Sequence, residues 1–237
     1  MARIEISLPA RQLSRWLWRG LLALWLGNAL ALTLVHIGGI EDGWGVVTLL
    51  HFDREQNLPT LFSVLLLLGA SALALRHACT ENAPAFVRRG WQVVALVLAA
   101  MAIDEFAMIH ERVDAALRYY LAVEGLPYAA WPIPYVTGVL VLGVTLWRWF
   151  WRLAPAMAIT LVIAATIYVT GAAGVELATG QYLARLDPDH LGVTDLTRDL
   201  MATLEESLEM TALVLLVRAF TRHLPRAADA RLAGMHP

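Results

Sequence analysis

No lysine occurs anywhere in the 237 residues; all 18 basic residues are arginine. Without lysine there can be no retinal Schiff base and no phosphate-binding P-loop, so two large protein classes drop out. Cysteine is nearly as scarce. Cys79 stands alone, which excludes an intramolecular disulfide and any Cys-ligated metal cluster. Charged residues make up 16% of the chain, against about 25% in an average soluble domain. The net charge of −2 excludes a strongly basic nucleic-acid binder. Internal repeats, low-complexity tracts and long linkers are missing as well, so residues 1–237 read as one domain.

What is abundant is apolar sequence, at 59%. A hydrocarbon core about 30 Å thick takes roughly 20 mostly apolar residues per helix. Six stretches qualify: 20–39, 58–75, 90–111, 132–151, 153–176 and 200–218. Two are weaker, because 90–111 meets Asp104 and Glu105, and 200–218 opens on Glu205, Glu206 and Glu209. The loops support all six. Arg3, Arg11, Arg15 and Arg19 precede the first span; Arg76, Arg88 and Arg89 fall between the second and third. Arg148 and Arg152 fall between the fourth and fifth, and Arg218, Arg222, Arg226 and Arg231 close the last. The alternate loops carry Glu41, Asp42, Asp53 and Glu55, then Asp187, Asp189, Asp195 and Asp199. Arginine collects on the cytoplasmic side. The expectation is an all-α bundle of six transmembrane helices with both termini cytoplasmic. The first span is too long for a signal-peptide core and reads as an uncleaved helix. Trp16, Trp18, Trp91, Trp147, Trp149 and Trp151 read as an aromatic belt on the inner side, Trp44 and Trp131 on the outer.

Direction then places the acids in depth. Asp104, Glu105, Glu111, Glu176, Glu205, Glu206 and Glu209 all fall in the outer half or at its surface, with His110 among them and Arg112 and Arg198 nearby. Each charge at membrane depth costs about 2.5–3.5 kcal/mol. Two arginines cannot neutralise seven carboxylates, so the rest are protonated, hydrated or bound to cations. At 100° per residue along one helix, Asp104 and Glu111 share a face and His110 points about 120° away. The inner half holds few polar groups: Asn28, Ser71, Thr160 and Thr166.

Carboxylates with a histidine suit Fe, Mn or Zn, and helical bundles draw such ligands from facing helices. The expected ligands are Glu105, His110, Glu111, Glu205, Glu206 and Glu209, with Asp104 or Glu176 as general base or as a partner behind the ligands. His110-Glu111-Arg112-Val113-Asp114 is similar to the H-E-x-x-H zinc-protease motif, with Asp in place of the second His. This points to a divalent-metal-dependent membrane enzyme acting on a lipid or other membrane substrate. Two other readings stay open: a structural or assembly subunit held by a network of hydrogen-bonded acids, and a proton- or cation-coupled transporter. His36 reads as interfacial, His51 as a lesser site candidate, and His77, His223 and His236 as solvated. Asn57-Leu58-Pro59-Thr60 reads as the capped start of the second span, and 113–122 as a candidate interfacial helix over the site. Glu205-Glu206 resembles the opening of the CAAX-type intramembrane protease motif, but Met210 stands where that motif needs Arg and its F-x-x-x-H half is missing.

Four features together resemble a group of uncharacterised bacterial multi-pass membrane proteins. They are the lead-in from Phe52 to Thr60, D-E-x-x-x-x-H-E from Asp104 to Glu111, the Gly/Glu end of the fifth span, and L-E-E-S-L-E-M from Leu204 to Met210. The resemblance covers about residues 50 to 220. It implies a bacterial inner-membrane protein whose acids form one constellation, and it implies no reaction.

Overall fold

The computed structural model describes residues 10–79, 83–121, 131–185 and 195–224. The expectations for Arg3, Asp187, Asp189, Arg226, Arg231 and His236 lie outside the described residues. Every regular element within them is a helix. Helix α1 covers Ala10–His36, the one-turn α2 Val46–Leu50, α3 Leu58–Ala78, α4 Ala85–Ala107 and α5 Ile109–Leu121. Then come α6 Pro132–Phe150, α7 Pro155–Val169, a π-helical turn Thr170–Val175, α8 Glu176–Leu183 and α9 Leu196–Arg222.

The starts of these helices are written in the sequence. Asn57 caps α3 by accepting from the Thr60 amide, with Pro59 in the first turn, and Asp195 caps α9 by accepting from the Thr197 amide. Pro84, Pro132 and Pro155 mark the starts of α4, α6 and α7, where a missing N–H breaks no helical bond. Helix α9 is the hub: it packs on α1, α3, α7, α8 and the π turn, while α3 pairs closely with α4. Its second half is buried at Met210, Leu213, Val214, Val217 and Phe220.

His36 at the end of α1 meets Asp199 at the start of α9. The two helices therefore run antiparallel, and Ala10 and Arg222 lie at one arginine-rich end of the bundle. The acidic residues gather at the other.

Among the described residues four helices are long and apolar enough to cross a membrane: Ala10–His36, Leu58–Ala78, Ala85–Ala107 and the combined Pro155–Leu183. Six were expected. α9 falls short in hydropathy because Arg198, Asp199, Glu205, Glu206 and Glu209 occupy its first half. α6, with 19 residues, begins on Pro132 and Pro134 and ends on Trp147-Arg148-Trp149.

The third expected span is broken as well. α4 stops at Ala107, and Met108 takes a left-handed conformation (φ 50°, ψ 47°) before α5 begins. The fifth span is interrupted by the π turn.

At the arginine-rich end, His77 is buried rather than solvated. It stacks on Trp91 with ring centroids 4.4 Å apart and hydrogen-bonds the Phe220 carbonyl at 3.0 Å. Trp91 and Trp149 are buried against each other instead of forming a lipid-facing belt; Trp16, Trp147 and Trp151 are exposed. Gly90 makes this possible, since a Cβ there would lie 2.1 Å from Trp149 Cδ1. His223 bonds the Ala219 carbonyl one turn back. Ser71, expected among the few inner polar groups, ties α3 to α4 through the Ala95 carbonyl at 2.8 Å.

Candidate functional site

At the acidic end α4, α5, α6, the π turn, α8 and α9 enclose a cavity of about 760 Å³. The break at Met108 builds one wall. It folds His110 back onto α4, so that His110 Nδ1 lies 3.1 Å from Asp104 Oδ2. The continuous-helix expectation pointed these two side chains apart; a left-handed residue between them reverses that. Tyr135 on α6 donates to the other Asp104 oxygen at 2.8 Å. Asp104 thus stands behind His110 and fixes its ring, while Trp131 packs beside that ring at 5.4 Å.

His110 lies in α5, beyond the apolar part of α4. Burial works against charging the ring, but the hydrogen bond and charge of Asp104 outweigh it and raise its pKa above the ordinary 6.5. Glu105 and Glu55 push in the same direction.

The second wall is α9. Arg198, Ala202, Glu205, Glu206 and Glu209 fall on one stripe facing the cavity, as the spacing requires. On the opposite flank Leu196, Leu200 and Leu204 are exposed. Leu208, however, packs against the π turn, where Gly171 lets the backbones close up. A Cβ on Gly171 would sit 3.0 Å from the Glu205 carbonyl oxygen, 3.1 Å from Leu208 Cβ and 3.2 Å from Glu209 Cγ.

The π turn leads into Glu176, the first residue of α8, which lies beside Glu205; such one-turn bulges recur at functional sites. Glu206 has Glu105, Glu209 and Glu55 as its charged neighbours, and the Tyr168 hydroxyl is turned to Glu209. Glu206 Oε2 and Trp131 Nε1 are buried without a hydrogen-bond partner among the described residues.

The cavity wall therefore includes Asp104, Glu105, His110, Glu111, Glu176, Glu205, Glu206 and Glu209. They do not form a tight ligand shell. Among the described residues no group of three or more His, Cys, Asp or Glu side chains is placed to hold a metal ion. Glu111 is exposed at the rim. Asp114, the stand-in for the second histidine of the zinc motif, instead accepts from the Trp131 amide at 3.2 Å and anchors the start of α6. Arg198 does not neutralise the glutamates either: its Nη2 lies 2.9 Å from Asp53 Oδ2. Even so, burial raises the Asp53 pKa from its ordinary 3.8, with Arg198 pulling it down and Asp199 adding to the rise.

A second polar cluster was not anticipated. Asp199 Oδ2 lies 2.7 Å from His36 Nε2 and 3.4 Å from His51 Nε2. The Asp53 amide donates to His51 Nδ1 at 3.1 Å, which places the proton of the neutral ring on Nε2, facing Asp199. His51 is thus a donor to the carboxylate and is not set up as a metal ligand.

Asn28 joins the same region. Its Nδ2 donates to Thr203 Oγ1 at 2.8 Å, and its Oδ1 accepts from the Phe52 amide at 2.9 Å. Asn57 holds the loop from within by donating to the His51 and Arg54 carbonyls, both at 2.7 Å. The lead-in residues 51–57 are therefore pinned to α1 and α9. Tyr135, Tyr168 and Trp131 also escaped the sequence reading; an apolar span gives no periodic signal that marks a tyrosine as cavity-lining.

One comparison speaks to kinship. The family described as a domain of unknown function (DUF8692) matches residues 16–224. The chain belongs to that family. The match takes in both the pinned loop and the whole cavity wall, so the two clusters lie within the family domain. No curated protein and no solved structure matches the chain.

Proposed function

We propose that this chain is a six-span protein of the bacterial inner membrane, with both termini cytoplasmic, whose outward-facing cavity is the active site of an enzyme acting on a lipid or other membrane-borne substrate. Counting α6 and α9 as spans is supported by their course, since both run from one end of the bundle to the other. It is supported also by the way α9 turns its acids to the cavity and Leu196, Leu200 and Leu204 away from it. Arginines at the end that holds Ala10 and Arg222 favour the cytoplasmic side for it.

The observation that carries the reading is the Asp104–His110 pair on the cavity wall. Asp104 holds Nδ1 and so directs Nε2 as the proton acceptor for a substrate hydroxyl or water, a geometry suited to general base catalysis. Glu105 stands close enough to His110 to act on its ring, with Glu206 next to Glu105 on the same wall. The test is to reconstitute wild type, His110→Gln and Glu206→Gln in liposomes of bacterial lipid and follow the lipids by mass spectrometry. Wild type alone should convert a lipid species. Identical lipid profiles in all three would overturn the enzymatic reading.

A divalent metal (Fe, Mn or Zn) is the second reading, and the unpartnered Glu206 Oε2 favours it. Glutamate side chains are long enough to draw Glu105, Glu206 and Glu209 together around an ion. Elemental analysis of metal-replete protein beside Glu206→Ala decides it: stoichiometric metal lost in the variant supports the ion, and none in wild type removes it.

A further inference from the structure

The cavity-lining residues that are also exposed fall into two groups of different chemistry. At the aqueous rim Glu55 and Glu111 are exposed. The second group is Val136, Val139 and Leu140 on α6, with Val169 at the end of α7; these line the cavity and are also exposed. These are 45%, 54%, 66% and 42% exposed, and all four are aliphatic.

The backbone explains the second group. α6 and α7 are joined through residues 151–154 at the arginine-rich end, yet α6 packs on α4 and α7 packs on α9. The two helices diverge from their connection toward the acidic end and leave a cleft between them. Val97 and Met101 on α4 and Leu142 on α6 continue the apolar lining inward.

One compartment is thus polar and the other hydrocarbon-like. The polar part runs from Arg198 to Glu209, about 16 Å along α9. The whole volume of 760 Å³ falls within the range of about 300–1,000 Å³ typical of small-molecule sites. Its carboxyls lack a basic partner, since Arg198 is committed to Asp53 and His110 to Asp104, and a ligand that brings its own cation supplies one. Its aromatic lining narrows the kind of cation. Trp131, Tyr135 and Tyr168 border the carboxyls, and ring faces beside acids are how proteins recognise ammonium groups. Trp131 is also 8% exposed, with an indole N–H that has no partner among the described residues; it can donate to an oxygen next to such a headgroup.

We infer that the cavity binds an amphiphile with a protonated amine at its head, admitted sideways from the bilayer between α6 and α7. The ammonium group reaches Glu105 and Glu206, and the hydrocarbon chain rests in the apolar cleft. The inference rests on the membrane-enzyme reading for its setting and names the substrate class of the same site.

Native mass spectrometry of detergent-solubilised protein tests it with three twelve-carbon probes: dodecylamine, dodecan-1-ol and dodecanoate. Dodecylamine should form a one-to-one adduct at concentrations at least tenfold below the other two. Glu206→Gln should bring it down to the level of dodecanol. Val139→Trp combined with Ala172→Trp, which fills the cleft, should weaken dodecylamine at least tenfold. Val144→Trp, on the exposed side of α6 away from the cavity, should leave it unchanged and so controls for folding.

Equal binding of the amine and the alcohol, or an amine preference that survives Glu206→Gln, would overturn the headgroup assignment. Indifference to the cleft-filling pair would overturn sideways access. Failure here is separable from failure of the enzymatic reading. Lipid conversion that is lost in His110→Gln but unaffected by the cleft-filling pair leaves the enzyme standing without the cleft. Amine binding that persists in His110→Gln, with no lipid conversion by wild type, leaves the binding site standing without the chemistry.

Discussion

Asp199 and Glu206 lie on the same helix, about 10 Å apart along its axis, and their surroundings are opposites. Around Asp199 the polar groups are matched. Two imidazoles point at one carboxylate oxygen, Arg198 takes Asp53, and Asn28 and Asn57 use their amides on backbone and hydroxyl partners. Around Glu206 acids face acids, and one carboxylate oxygen has no partner among the described residues. Buried polar groups are normally satisfied, and an exception calls for a reason. The matched cluster has the anatomy of a fastening, and the unmatched one that of a site awaiting its ligand.

The sharpest break in this comparison is to remove each acid in turn. Asp199→Ala takes the shared acceptor from two histidines, and hydrogen bonds to a charged group contribute about 1.5–3 kcal/mol. Unfolding in detergent, followed by circular dichroism against added SDS, should report a loss of that order. Glu206→Gln keeps the shape and removes an ionisable group that has no cation, so its stability should change by less than about 1 kcal/mol. Comparable losses in both variants would mean that the cavity acids are structural, as the hydrogen-bonded-network reading holds.

The sequence made one of these regions legible and not the other, for a physical reason. The cavity acids are conspicuous because a carboxyl is out of place in an apolar span, and the period of a helix gathers Glu205, Glu206 and Glu209 on one face. The Asp199 cluster joins residues from α1, the loop before α3, and α9. His36 and His51 give no local sign that they meet an aspartate more than a hundred residues away. The helix starts at Asn57 and Pro132 were legible because caps and prolines act locally. The break at Met108 was not, because no glycine marks it and a left-handed methionine goes against local preference. That one residue turns His110 toward Asp104, where a continuous helix would point the two apart. Length and hydropathy alone mark four spans among the described residues for a related reason: α9 has the length to cross a membrane, but its acids lower its hydropathy.

Next in size is the seam that brings the cavity acids together. Gly171→Ala places a methyl 3.0 Å from a backbone oxygen of α9, and forcing packed elements apart costs about 1–3 kcal/mol. Gly174→Ala, in the same turn, has only Thr170 Cγ2 within reach at 3.9 Å, and should be tolerated. The pair is read by thermal unfolding and by dodecylamine binding. Loss of both signals in Gly171→Ala alone places the control of cavity geometry at this contact; equal tolerance would mean that the π turn and α9 are free to slide.

A smaller effect comes from pH. The folded-state pKa of His110 is raised above 6.5, because Asp104 outweighs burial. A raised pKa contributes stability fully present below the unfolded value, near 6.5, and lost as pH rises through the folded value. Wild type should therefore lose stability on the alkaline side of pH 6.5, and His110→Gln should lack that slope. An unchanged slope in the variant would detach His110 from Asp104.

The smallest expected change is at Met108, where the strain of the cavity wall can be isolated. A left-handed conformation costs an L-residue about 1–2 kcal/mol, whereas glycine adopts it freely but loses about 0.5–1 kcal/mol of chain entropy on folding. Met108→Gly should therefore change stability by no more than about 1 kcal/mol, on the stabilising side. The informative readout is the pH slope just described. If the rigid turn at Met108 is what presses His110 against Asp104, glycine loosens the pair and flattens the slope, while the Asp199 fastening, anchored elsewhere on α9, keeps its full contribution. If the slope survives, the pair is held by Tyr135 and Trp131 from α6, and the cavity wall owes its geometry to packing between helices rather than to the turn.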